Sequence, residues 1–260
     1  MTANRATAAV SAVRNATERL PGVLGLLGLL LALSACSSQD RATGPKEVRE
    51  LAGSTQARQS REAAEEPLRT MVRAYDENTP LTLGLVTVND RCVGGAAKEW
   101  FFQTGDDQYK IRCTMSVTAY YGADPHRIGD VLDGIFTAGD HDSSAGAAAG
   151  TIPFGHDDFR RRLVAYYRGH GQNPTGPGTP EPAQVFDPWQ TLSWDTVRSA
   201  KKSLVAEPDP CVKSDPPVTR CLREPASKTV ADIRRQYGMV FELQTSMAEY
   251  YRVSKNGKTS

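Results

Sequence analysis

The stretch YKIRCTMSVTAYY, residues 109–121, decides the fold. Tyr109, Ile111, Cys113, Met115, Val117, Ala119 and Tyr121 alternate with Lys110, Arg112, Thr114, Ser116, Thr118 and Tyr120. Successive side chains of a strand point to opposite faces. A period of two therefore sets one face on a core and leaves the other to water or polar neighbours. Such alternation belongs to an antiparallel sheet, because a parallel strand covered on both sides reads as apolar throughout. It also turns Cys113 inward, within reach of a buried bridge to Cys92.

Working outward, LTLGLVTVND (81–90) reads as a strand, and EWFFQT with Gly105-Asp106-Asp107 leads into the long strand as a hairpin. Before them, Pro67 suits a helix first position, and Leu68, Met71, Val72 and Tyr75 form one helical stripe ending at Asn78-Thr79-Pro80. After the long strand, Asp124-Pro125 starts a helix with Ile128, Val131, Leu132, Ile135 and Phe136 on its buried side. Residues 139–155 read as a loop, and Phe159 to Arg168 as either helix or strand. The Gly- and Pro-rich run 169–188 is a loop excursion. A helix is expected around Trp194 to Val205, and another from Ser227 carrying Val230, Ile233 and Tyr237, with Gly238 as its stop. A final strand runs from Met239 to Val253. The sum is an α+β domain over 65–255: an antiparallel sheet with helices packed on it, stapled by two disulfides.

The N-terminus has a different character. Residues 1–19 are polar and basic, and Leu20 to Ala35 is an apolar run of Leu, Gly, Ala, Val and Pro with one Ser. Small residues then precede Cys36. This is the layout of an export signal, and the run falls short of the roughly 20 residues of a membrane span. No twin-arginine pair is present, so general secretion is the expected route. Leu33-Ser34-Ala35-Cys36 resembles the lipobox of bacterial lipoprotein precursors. That resemblance covers only the first 36 residues. It implies that residues 1–35 are removed, that the Cys36 thiol carries diacylglycerol, and that the protein sits on the extracytoplasmic face of the cell membrane. It implies nothing about the domain behind it. Residues 36–64, poor in large apolar side chains, read as a flexible or loosely helical tether.

Five cysteines are present. With Cys36 as a lipid carrier, Cys92, Cys113, Cys211 and Cys221 remain. An even set in an exported protein reads as disulfides. Three pairings are open, and the sequential one, Cys92–Cys113 with Cys211–Cys221, closes the shorter loops. Zinc fits these cysteines poorly, since no C-x-x-C spacing occurs.

The formal net charge is +1, with Arg5, Arg14 and Arg19 against Glu18 in the leader, so the body is near neutral. Nucleic acid is not an expected partner, because phosphate binding needs a concentrated positive field. The membrane, through Cys36, is one partner; an envelope polymer or protein is the other.

Candidate chemistry is sparse. The loop 139–158 holds Asp140-His141-Asp142 and His156-Asp157-Asp158, so His141, Asp142, His156 and Asp157 could ligate a divalent metal. The bland alternative is turn and helix capping. Ser199-Ala200-Lys201-Lys202 matches S-x-x-K, but its companion motifs are absent. Gly257-Lys258-Thr259 lacks both the upstream glycine and the following helix of a phosphate loop. Arg160, Arg161, Arg162 and Arg168 could form a basic patch. The expected role is binding or scaffolding in the cell envelope, with no cofactor and no catalytic residue assigned. The alternative is a metal-dependent hydrolase built on the His/Asp loop.

Overall fold

The computed structural model describes residues 41–98, 105–144, 152–210 and 218–260. The leader, Cys36, the expected hairpin arm 99–104 and Cys211 lie outside them.

The long alternating stretch is a strand, β2 (Tyr109–Ala123), and the sheet grows from it. On one side it pairs with β1 (Thr82–Gly94), from Thr82 opposite Gly122 to Gly94 opposite Ile111. On its other side lie β6 (Met239–Thr245) and β7 (Ala248–Ser254), end to end. The outer edge of β1 takes β5 (Val218–Glu224), while β6 takes β4 (Gln190–Trp194), which takes β3 (Gln184–Asp187). Every pairing is antiparallel, in the order β3-β4-β6-β2-β1-β5 with β7 also on β2. The expected α+β class and antiparallel sheet are present.

The strand expected over Met239 to Val253 is therefore two strands in line, broken at Ser246 and Met247. One extra residue at the break leaves Val117 N–H without its ladder partner, and the Thr245 hydroxyl accepts it at 2.9 Å.

One face of the sheet is buried. Met115, Val117, Ala119 and Tyr121 of β2 meet Val86, Val88, Phe241, Leu243, Leu192 and Trp194 in the main core. Helices α2 (Thr55–Asn78), α3 (Ile128–Ser144) and α4 (Asp158–Tyr167) supply the other side of this core. Their contributions include the anticipated stripes Met71, Val72 and Tyr75, and Ile128 through Phe136. Buried tyrosines keep their hydroxyls partnered: Tyr75 donates to Gln190 Oε1 at 2.8 Å, and Tyr121 to the Val72 carbonyl at 2.9 Å. On the opposite face α5 (Val230–Tyr237) covers only the upper end, where Val230 and Ile233 pack on Leu85, Tyr120 and Val240. Gly122 permits this approach, since a Cβ there would fall 2.0 Å from the Tyr237 ring.

Several expectations need correction. The tether over 36–64 is not flexible in its second half. It contains α1 (Pro45–Ala52) and the first turns of α2, which starts at Thr55 and keeps Pro67 in its interior. Val48, Ala52 and Ala57 are buried against Cys92, Ile111, Cys113, Tyr251 and Val253. Small side chains suffice here because helix and sheet approach closely. The packed chain thus starts near Thr43, whose N–H bonds the Gly95 carbonyl at 2.9 Å. At the other end the chain pairs back on β7 through Thr259, so the domain exceeds 65–255. Trp194 to Val205 is not a helix: Trp194 ends β4, and Asp195 accepts from Val205 N–H and Val240 N–H. The excursion 169–188 includes β3, and the expected loop 139–155 begins as the last turns of α3. Of the two expected disulfides, Cys92–Cys113 joins facing residues of β1 and β2, and the other falls on Cys211, outside the described residues.

The corrected start has a direct check. Arg61, on α2, reaches the buried Asp90 at 2.6 Å. Arg61→Ala leaves that carboxylate short of its main cation and should lower unfolding stability by about 3 kcal/mol in urea titration. A loss below about 0.5 kcal/mol would mean that this segment does not pack.

Candidate functional site

The lower half of the second sheet face is not covered by any helix among the described residues. Strand pairing lines up its side chains in rows. One row crosses six strands: Phe186, Thr191, Gln244, Thr118, Thr87 and Arg223 are successive Cα partners. The row above runs Gln184, Ser193, Glu242, Tyr120, and the row below runs Ser116, Asn89, Cys221. Of these rows, the part on β6, β2, β1 and β5 (Gln244, Thr118, Thr87, Arg223, Glu242, Tyr120, Ser116, Asn89 and Cys221), with Arg91, Thr219 and the wall Ala206–Pro210, bounds a groove of about 800 Å³. Its floor is made of hydroxyls and amides on paired strands, so the donors and acceptors are held in place before any ligand arrives.

The groove's charges differ in their commitments. Arg223 donates to the Lys228 carbonyl at 2.6 Å and faces Glu207 at 3.4 Å. Glu207 in turn accepts from Ala231 N–H at 2.9 Å and fixes the wall to α5. Glu242 is half-buried between Tyr120 and Ser193, with no hydrogen bond or ion pair to any described residue. Burial alone pushes its carboxyl above the usual range. An unpaired, partly desolvated carboxylate in a polar groove is a costly arrangement for stability and a ready acceptor for a ligand's O–H or N–H.

The residues singled out for metal are committed elsewhere. His156 Nδ1 lies 2.6 Å from Asp140 Oδ2, and Nε2 lies 3.1 Å from Asp133 Oδ1. Its N–H donates to Asp140 Oδ1 at 2.7 Å, and its ring stands edge-on to Phe136. Hydrogen bonds from His156 hold the Asp140 carboxyl below its ordinary range. Asp142 accepts from Ile152 N–H at 2.7 Å, and Asp157 caps α4 by accepting from Arg160 N–H at 2.7 Å. His141 and Asp142 share a cavity beside Asn78–Pro80 and Thr137. Among the described residues no group of three or more His, Cys, Asp or Glu is arranged to hold a metal. Through His156, Asp140 and Asp133 the described part of the His/Asp segment is a clasp between the end of α3 and the start of α4.

The remaining candidates also resolve into structure. Ser199, Lys201 and Lys202 sit on irregular chain, and Ser199 N–H donates to Glu181 at 2.6 Å, so no lysine stands one helical turn from the serine. Arg160, Arg161 and Arg168 pair with Asp157, Asp158 and the Asp130–Asp133 pair, which disperses the basic patch. The groove was missed in the sequence, although its signal was there: Thr114, Ser116 and Thr118 are small and neutral where solvated strand faces usually carry charge.

No family model, no curated protein and no solved structure matches the chain. The groove's geometry therefore carries the functional reading.

Two measurements bear on this site. A chelator should leave the thermal midpoint unchanged, and a fall of several degrees would restore a structural metal. Glu242→Gln should raise the urea midpoint at pH 7. The carboxyl's folded pKa is raised, so its penalty acts above that pKa and vanishes once both states are protonated. Variant and wild type should therefore converge below about pH 4. Destabilisation by Glu242→Gln at pH 7 would contradict an unpaired Glu242.

Proposed function

We propose that this protein is a lipid-anchored, extracytoplasmic binding protein that presents its open sheet face to a hydroxyl-rich polymer of the cell envelope. The observation that carries this reading is the groove itself: rows of Thr, Ser, Asn and Gln side chains on paired strands, with Glu242 unpartnered among them. Neutral donors and acceptors at strand spacing suit a polyol, and the exposed Arg91 in the groove lining adds a cation beside them. The Cys92–Cys113 bridge supports an oxidising compartment. Cys36, in its lipobox-like setting, supports anchorage at the membrane.

Both halves of the reading are measurable. Thr118→Trp fills the groove from its central strand and should weaken co-sedimentation with isolated envelope polysaccharide at least tenfold. Equal binding by wild type and variant would remove the groove from the account. Cys36→Ala should move the protein from the membrane fraction to the soluble one. A membrane-bound variant, together with a wild type that shows no lipid mass, would end the anchor reading.

A further inference from the structure

We propose that Phe186, Trp189 and Met247 form a stacking platform for pyranose rings, which extends the groove sideways across β4 and β3. The proposal rests on the reading of the open sheet face as a polyol site, and it narrows the polyol to a glycan of linked pyranose units. Among the described residues these are the three most exposed large apolar side chains: Phe186 at 69%, Trp189 at 71% and Met247 at 72%. Strand pairing places them. Phe186 stands opposite Thr191, Thr191 opposite Gln244, and Gln244 opposite Thr118, so Phe186 ends the row that crosses the groove floor. Val185, the residue before it, is buried in the main core opposite Leu192, so Phe186 belongs to the other face. Met247 meets that face as well: its Sδ lies 3.8 Å from the hydroxyl of Thr114, two residues along β2 from Ser116 of the groove lining. Trp189 occupies the tip of the β3–β4 hairpin. The tip is stitched to the break between β6 and β7. Ser246 N–H donates to the Trp189 carbonyl at 2.9 Å, and Ser246 Oγ to the Pro188 carbonyl at 2.8 Å. Asp187 accepts from Trp189 N–H at 3.1 Å. The apolar surface is therefore held in place before any ligand arrives, and its exposure to water marks an interaction site.

The surroundings of the platform select its occupant. Between Phe186 and the groove stand Thr191, Ser193 and Gln244, with Gln184 beside them on β3, all neutral donors and acceptors on paired strands. A pyranose ring is two-sided: its C–H groups make a face apolar, while its hydroxyls project from the edge. Flat aromatic rings cover the apolar face, and neighbouring amides and hydroxyls take up the edge. A purely apolar occupant would bury Thr191 and Gln244 without partners, a cost that a hydroxylated ring avoids. Phe186 and Thr118 are three strands apart, roughly 14 Å. A ligand that touches both is a chain of linked rings and not a single sugar. Contacts at the two ends of one chain then reinforce each other through effective concentration. The open face thus takes several consecutive sugars, hydrogen-bonding some in the groove and stacking on others at the platform.

The test is co-sedimentation of the folded protein with isolated envelope polysaccharide. Phe186→Leu with Trp189→Leu keeps apolar bulk but removes both flat rings, and should weaken binding about tenfold. Phe186→Tyr with Trp189→Tyr keeps flat rings and should bind as wild type does. Leu204→Ser, at the other strongly exposed apolar residue, should leave binding unchanged. Wild-type binding by the leucine pair, with Thr118→Trp weakened, would overturn the platform and leave the groove reading standing. Weakening by the leucine pair, with Thr118→Trp unaffected, would support the platform and end the groove reading. A wild type that does not sediment with the polysaccharide ends both. A dimer that the leucine pair dissolves, with polysaccharide binding untouched, would assign the patch to a second copy and equally overturn the platform.

Discussion

A strand has two faces, and β2 can give only one of them to the core. That constraint organises the molecule. Three strands pair with β2, so its alternation is imposed on β1, β6 and β7 through their register. The apolar face then needs cover, which α2, α3 and α4 provide. The polar face accepts cover only where apolar residues interrupt it, at Leu85 and Val240 under α5. Below that point Ser116, Thr118, Asn89 and Gln244 give a helix nothing to bury against, and the groove is what remains.

Buried acids hold the irregular parts in place, and each has a full set of partners. Asp90 receives Arg61 and the Tyr250 hydroxyl, each at 2.6 Å. Asp195 receives Arg234, Val205 N–H and Val240 N–H. Glu181 gathers the N–H groups of Val197, Arg198 and Ser199 together with the Tyr167 hydroxyl. Satisfied acids of this kind are structural: removing a partner leaves a buried charge exposed to its full desolvation cost. Glu242 stands apart as a half-buried acid without partners among the described residues. Three pinned carboxylates and one unpinned one separate what builds this fold from what is left available to a ligand.

The parts legible in the sequence were those written in periodicity. The β2 alternation, the α2 and α3 stripes and the helix expected from Ser227 to its stop at Gly238 all depend on local spacing, which survives in one dimension. The missed parts depend on tertiary proximity. Ala52 and Ala57 look like tether residues until the Cys92–Cys113 surface comes within touch. Trp194 has the apolar weight of a helix face, yet its ring meets Phe241 and its indole donates to Tyr167 from a strand. The His/Asp loop showed the residue types of a metal site without showing that Asp133, far along the chain, takes one His156 nitrogen. The groove was half legible: its polar side chains could be read from β2, but not that no helix of the described residues covers them.

The central claim is that the open sheet face, and not the His/Asp clasp, meets the ligand. Threonine-methyl NMR of the folded protein, with and without envelope polysaccharide, tests it most directly. Shifts at Thr87, Thr118 and Thr219, with Thr137 unmoved, are the predicted result. Shifts confined to Thr137, beside His141, with the groove threonines silent, would contradict the account.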